Sequence, residues 1–206
     1  MKKILVIGSH PDDFEFGCGG TIIKFSKFAE IYVLVMSKGE VGGSPLVRQK
    51  EQQKVCKYLK AKLFWGEYPD TKIELNKNLI DKIEYYIKKV SPDIIFTHYP
   101  QDTHQDHRNV AEATITATRY IRNVLFYETP SSIDFAPSVF VDITNEIKKK
   151  LYLLELHKSQ VYATKIKGLS IKEAAVSIAI YRGYQNRVKY AEGFVPLRLT
   201  LDYFNF

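Results

Sequence analysis

Apolar residues in this chain fall into short unbroken runs separated by stretches with helical spacing. The run from Lys3 to Ile7 has the continuous character of a strand covered on both faces. Ile31–Met36 is a second such run, Leu63–Trp65 a short third and Asp93–Thr97 a fourth, with Val124–Tyr127 and Val139–Ile143 as two more. The intervening segments read as helices. Gly17–Phe28 carries Ile22, Ile23 and Phe25, and Pro45–Leu59 turns Val55 and Leu59 inward. Ile80, Ile83, Ile87 and Val90 keep helical spacing up to a stop before Pro92. Val110, Ala113, Ala117 and Ile121 mark the next helix, and Ile147, Leu151 and Leu154 stripe another. A longer one runs from Ile171 to about Ala191. Val195–Leu201 alternates with period two and reads as a late strand.

Strands alternating with helices predict an α/β domain with a largely parallel sheet, covered by helices on both faces. The expected core order is 3-2-1-4-5, with a smaller α/β extension at the C-terminal end, and residues 1–206 are expected to form one domain. Sheets of this kind bind ligands outside the C-terminal ends of their strands, where the topology reverses. Strands one and four are neighbours in that order, so the loops that follow them meet.

Composition narrows the class. A chain of 206 residues can build one substantial core, and its 45% apolar content is ordinary for a globular protein. The net charge of +7 is an excess of lysine, 23 Lys against 7 Arg, spread over several helices. No nucleic-acid module or aromatic-basic patch accompanies it, so no nucleic-acid partner is expected. Clusters such as Lys148-Lys149-Lys150 read as solvated faces. The two cysteines, Cys18 and Cys56, have no metal-type spacing and read as free thiols in a reducing compartment. No apolar run approaches the ~18 residues of a membrane span, and the apolar start is too short for a signal peptide. A cytoplasmic protein is expected.

The chemistry concentrates in two stretches, each at a strand end. The first is Gly8-Ser9-His10-Pro11-Asp12-Asp13-Phe14-Glu15-Phe16-Gly17, followed by further glycines. His10 and Asp13, three residues apart at a helix entry, are expected on one helical face and suit a shared metal. The second is His98-Tyr99-Pro100-Gln101-Asp102-Thr103-His104-Gln105-Asp106-His107. His10, Asp13 and His107 together supply two nitrogens and a carboxylate oxygen and leave room for water. That is the form of a catalytic zinc site, although the same set also holds iron. Asp12, off the metal, is placed to take a proton from water. His104, one turn before His107, can stabilise an oxyanion or protonate a leaving amine. Asp106 either orients His104 or a ligand, or is a plain helix-start carboxylate. Arg48 can hold an anionic or hydroxylated substrate group, with Glu51 paired to it across one helical turn. Glu15 reads as a partner of loop amides.

His10-Pro11-Asp12-Asp13 with Glu15 and Gly17-Cys18-Gly19-Gly20-Thr21 resembles the signature of the LmbE/PIG-L family of zinc-dependent de-N-acetylases. Asp102-Thr103-His104-Gln105-Asp106-His107 resembles its second signature, with Gln105 where many members have proline. Lys38-Gly39-Glu40 with Arg48 and Glu51, His157-Lys158-Ser159-Gln160 and Tyr190-Ala191-Glu192-Gly193-Phe194 follow the family pattern in order. The resemblance implies a Rossmann-like fold, one zinc per subunit and hydrolysis of an acetamido group on a small N-acetylated sugar or glycoconjugate. It further implies His10, Asp13 and His107 as zinc ligands, Asp12 as general base, His104 as acid or oxyanion stabiliser and Arg48 as a substrate contact. Homo-oligomers are common in the family, and the alternating tail is a strand able to pair with another chain. Two other readings share these residues: a hydratase acting on unsaturated acids with the same fold and metal, and a binding protein with a vestigial site. The intact set His10, Asp12, Asp13, His104 and His107 argues against the last.

Overall fold

The computed structural model describes residues 1–200. Its elements follow the sequence pattern closely. Strand β1 (Lys2–Gly8) leads into α1 (Asp13–Phe25), then β2 (Ala29–Ser37), α2 (Pro45–Leu59) and β3 (Lys62–Tyr68). Next come α3 (Lys77–Val90), β4 (Ile94–His98), α4 (Gln105–Ala117) and β5 (Val124–Tyr127). The remainder is β6 (Val139–Asp142), α5 (Ile147–Leu156), α6 (Ile171–Gln185) and β7 (Ala191–Arg198).

One sheet holds all seven strands in the order β3-β2-β1-β4-β5-β7-β6. The first five are parallel in the expected core order, and β7 runs antiparallel between β5 and β6. Side-chain alternation sorts the strand residues between two cores. Ile4, Val6, Val33 and Phe96 pack on one face with Phe14, Ile22, Val55 and Leu153 from α1, α2 and α5. Leu5, Ile7, Leu34 and Ile95 pack on the other with Leu79, Ile83, Ile87 and Val110 from α3 and α4. Both faces are covered, which is why these strands read as unbroken apolar runs.

Three expectations are corrected. The last helix stops at Gln185, well short of Ala191, because Arg187 is left-handed (φ 59°) and Ala191 pairs with Asp142 in the sheet. The tail is an interior strand: β7 has its two neighbours within this chain, so its edges are not free to pair with another, and Leu201 lies outside the described residues. Helix α1 begins at Asp13 and is broken at Cys18 (φ −141°, ψ 15°). Among the described residues no helix is long and apolar enough to cross a membrane.

The break in α1 exposes backbone groups inside the protein, and a buried ion pair takes them up. Glu192 of β7 accepts from the amides of Gly20 (2.9 Å) and Thr21 (2.7 Å), which open the second part of the helix. Lys150 of α5 donates to Phe16 O, a carbonyl of the first part, and to Glu192 Oε1 at 2.6 Å. Carboxylate on new N–H groups and ammonium on a freed carbonyl is the pairing that helix ends favour.

Candidate metal centre and active site

Parallel pairing of β1 with β4 places Ser9–Asp12 beside Tyr99–His104 at one end of the sheet. His10 sits in a turn ahead of α1 rather than on its face, because Asp12 is left-handed (φ 87°). The turn is closed by His10 N–H donating to Asp13 Oδ2 at 2.6 Å. A non-glycine residue in that region costs of order 1 kcal/mol and persists where its surroundings fix it. Arg48 does so. Its guanidinium donates to Pro11 O and Gly39 O, each at 2.8 Å, and lies 3.5 Å from Asp12 Oδ1. A Cβ on Gly39 (φ 69°) would lie 2.0 Å from Arg48 Nη1, so this approach needs glycine.

Single ligand atoms of His10, Asp13 and His107 lie within 4.8 Å of one another, and so do those of His10, His104 and Asp106. Hydrogen bonding separates the two groups. His10 Nε2 faces two acceptors, Asp70 Oδ1 at 2.9 Å and Asp106 Oδ2 at 3.0 Å. It therefore carries the proton, which leaves the lone pair on Nδ1, 3.6 Å from Asp13 Oδ2. The Asp106 carboxylate also accepts from the amides of Thr71 (2.8 Å) and Ile73 (3.3 Å) and is fully buried. His107 Nε2 lies 3.4 Å from Asp13 Oδ1. The first group keeps free donor atoms facing a cavity of about 750 Å³, which Asp12, Arg48, Asp70 and His104 also line. Two imidazoles and a carboxylate suit a divalent ion such as zinc.

Electrostatics agree with a site built around positive charge. Burial alone would push His107 down, but the carboxylates of Asp13 and Asp102 outweigh it and carry the imidazole up to about 9. His10 is likewise raised, burial being outweighed by hydrogen bonds to Asp106, Asp13 and Asp70. His98 is pushed down to about 4, by burial and then by the charge of His107, whose ring stacks on it at 4.1 Å. Burial lifts Asp12 to about 6, against the pull of Arg48. Burial and the charges of His107 and His10 hold His104 below the usual histidine range. His104 Nδ1 accepts from the Asp106 amide at 3.2 Å, as the cap of α4, so its proton is on Nε2.

His10, Asp12, Asp13, Arg48, His104, Asp106 and His107 meet at this end of the sheet, with partners the sequence did not give. Asp106 grips His10 and not His104. Glu51 binds Ser159, from Ser159 N to Oε1 at 2.9 Å and from Ser159 Oγ to Oε2 at 2.6 Å, and makes no ion pair with Arg48. Glu15 accepts from the Gln52 side chain at 2.7 Å and sits 3.0 Å from His157 Nε2, not on loop amides. Asp70, beside His10, carries no functional signal in the sequence. Its Pro69-Asp70-Thr71 context signals a turn and nothing more.

The sequence matches the PIG-L family, described as GlcNAc-PI de-N-acetylase, over residues 5–118. It is 36% identical over 169 residues to the uncharacterized deacetylase YaiS of Escherichia coli K12, covering 77% of this chain and 91% of that protein. It is 29% identical over 231 residues to the diacetylchitobiose deacetylase of Thermococcus kodakarensis, covering 95% and 84%. The fold superimposes on the crystal structure of the conserved protein TT1542 from Thermus thermophilus with a TM-score of 0.86, at 27% identity and 97% coverage of both chains.

Proposed function

The chain belongs to the PIG-L family, and on that premise we propose that it is a zinc-dependent hydrolase. It removes the acetyl group from a small N-acetylated amino sugar or glycoconjugate, giving acetate and a free amine. It works in the cytoplasm, as one domain spanning residues 1–206 that associates with copies of itself. The observation that carries the reading is the convergence of His10, Asp13 and His107 in a cavity bordered by Asp12 and His104.

His10, Asp13 and His107 hold the ion, one per chain. A divalent cation there supplies Lewis acidity toward the amide carbonyl and toward water. Asp12 takes the proton of the attacking water on its carboxylate and passes it to the departing amine nitrogen. Its partial burial makes it basic enough for this task, and Arg48 keeps its turn in place. His104 presents Nε2–H to the carbonyl oxygen as that atom gains charge, acting as a neutral donor. Asp106 and Asp70 act through His10, fixing its ring so that Nδ1 faces the ion. Arg48 lines the cavity and contacts substrate through guanidinium N–H groups that Pro11 and Gly39 do not take up.

A panel of N-acetylated sugars, nucleotide sugars and glycosides, scored for acetate and amine release with and without chelator, tests the reading. Turnover is expected with metal and not without it. Asp12→Asn should keep zinc and lose about 10²–10⁴-fold in kcat. Full turnover by metal-free protein or by Asp12→Asn would refute the mechanism.

A further inference from the structure

Asp102 was part of the second polar stretch but had no role there, and the structure gives its two oxygens separate tasks. Oδ1 accepts from the backbone N–H of His104 at 2.8 Å. Oδ2 lies 3.3 Å from His107 Nδ1, a contact rather than an aligned hydrogen bond. One carboxylate therefore faces both His104 and His107, each through a different atom.

Asp102 is itself held by the loop that follows β5. Thr129 Oγ1 donates to Asp102 Oδ2 at 2.7 Å and Ser132 Oγ at 3.1 Å. Two main-chain bonds tie the same loop to the loop after β4, Thr103 N–H to Ser131 O at 2.9 Å and Ile133 N–H to Gln101 O at 2.9 Å. Glu128, at the start of the β5 loop, is gripped by Arg182 through two bonds of 2.7 Å, Nε to Oε1 and Nη2 to Oε2. Asp102, Glu128 and Thr129 are buried, and the cradle is tied to the loop after β4 and to α6.

We infer that Asp102 is a positioning residue, held by Thr129 and Ser132, which keeps a proton on His107 Nδ1 so that the Nε2 lone pair stays directed at Asp13 and the metal. A carboxylate only accepts, so the ring nitrogen beside it is the protonated one. The other nitrogen is then free for the ion. Nothing in this requires Asp102 to touch substrate. The inference rests on the ligand set proposed above. It adds that the loop after β5, which supplies none of the proposed ligands, sets how tightly the ion is held.

The test is zinc affinity, measured by competition with a fluorescent chelator, in wild type, Asp102→Asn, Thr129→Val and Thr129→Ser. Asp102→Asn should weaken zinc binding 10–100-fold, the usual effect of removing an outer partner of a metal-bound histidine. Thr129→Val, which removes one hydroxyl donor, should weaken it about fivefold. Thr129→Ser, which keeps the hydroxyl, should restore the wild-type value. The His107 Nδ1–H proton resonance of the zinc-loaded protein should move in Asp102→Asn and Thr129→Val and not in Thr129→Ser. A merely structural role would lower melting temperatures without this ordering. Wild-type zinc affinity in folded Asp102→Asn, or equal affinities for the Thr129 pair, would overturn the inference and leave the deacetylase reading standing. Tight zinc binding with the expected order of variants, but no acetate release from any substrate, would overturn that reading and leave this one intact.

Discussion

Replacing Glu192 by Gln should be one of the most damaging single changes outside the active site. Glu192 is 3% exposed, as is Lys150, and its carboxylate receives two helix amides and an ammonium. The glutamine leaves Lys150 buried without a counter-charge, a situation that costs about 3–5 kcal/mol. Its amide N–H₂ also turns a donor toward one of the Gly20 and Thr21 donors, leaving that amide unsatisfied at about 1–3 kcal/mol. Lys150→Met alone should cost less, near the lower end of the ion-pair range, because the two amides keep their acceptor. In the double variant no uncompensated charge remains, and the residual loss is one orphaned amide and the Phe16 carbonyl that Lys150 no longer reaches, about 1–3 kcal/mol each. The double variant should therefore be more stable than Glu192→Gln alone. Urea unfolding of the four proteins, with zinc kept saturating, gives the cycle directly. Native domains are stable by about 5–15 kcal/mol, so the losses are a large fraction of the total and shift the urea midpoint measurably. Costs that simply add, or a Glu192→Gln loss below about 1 kcal/mol, would refute the assignment of this pair to the break in α1.

Three further outcomes follow from the site and the core. Zinc at a hundred times its dissociation constant should raise unfolding stability by about 2.7 kcal/mol; chelator should abolish the gain, and His10→Ala should show none in thermal melts. Burial pushes the Cys56 thiol up to about 12 and raises Cys18 well above its usual range. A raised thiol stays protonated and unreactive below that range, so the native protein at pH 8 should show no fast-reacting cysteine toward a disulfide reagent and two in denaturant. Gly17→Ala should destabilise by about 1–3 kcal/mol or more, since a Cβ there would lie 2.2 Å from Tyr127 Cδ2 and 2.9 Å from Glu128 O; a calorimetric change within experimental error would contradict the packing described.

Strands β1, β2, β4 and β5 were legible because each is buried on both faces, so its apolar run is unbroken and its ends are marked by turn chemistry. Pro45–Leu59 was legible to the residue, with proline at its start and a left-handed Lys60 at its end. The end of α6 was not, because Val188 and Tyr190 continue an apolar spacing while Arg187 reverses the chain. In the site, His10, Asp12, Asp13, His104 and His107 were legible from two dense clusters at strand ends that the topology brings together. Their partners were not. Asp70 and Glu192 act on groups far away in sequence, as in Gly20 to Glu192 across 172 residues, and Asp102 is held by Thr129 27 residues on; no local pattern encodes such pairings. Asp106 could be flagged as an orienting carboxylate, but the choice of His10 over His104 depends on how α4 is set against the turn after β1.

The insertion of β7 between β5 and β6 has a consequence for the order in which the protein takes shape during synthesis. Every residue assigned to the ion comes from the first 107 positions, and β1 to β5 with α1 to α4 can dock as soon as they emerge. Strand β6 cannot join them then, because its neighbour in the sheet is made some fifty residues later. Until Glu192 arrives, the amides of Gly20 and Thr21 and the ammonium of Lys150 have no carboxylate between them. Among the described strands β7 is made last, and it closes the break in the first helix, so a nascent chain stalled before it should carry a complete set of ligands on an unlatched scaffold.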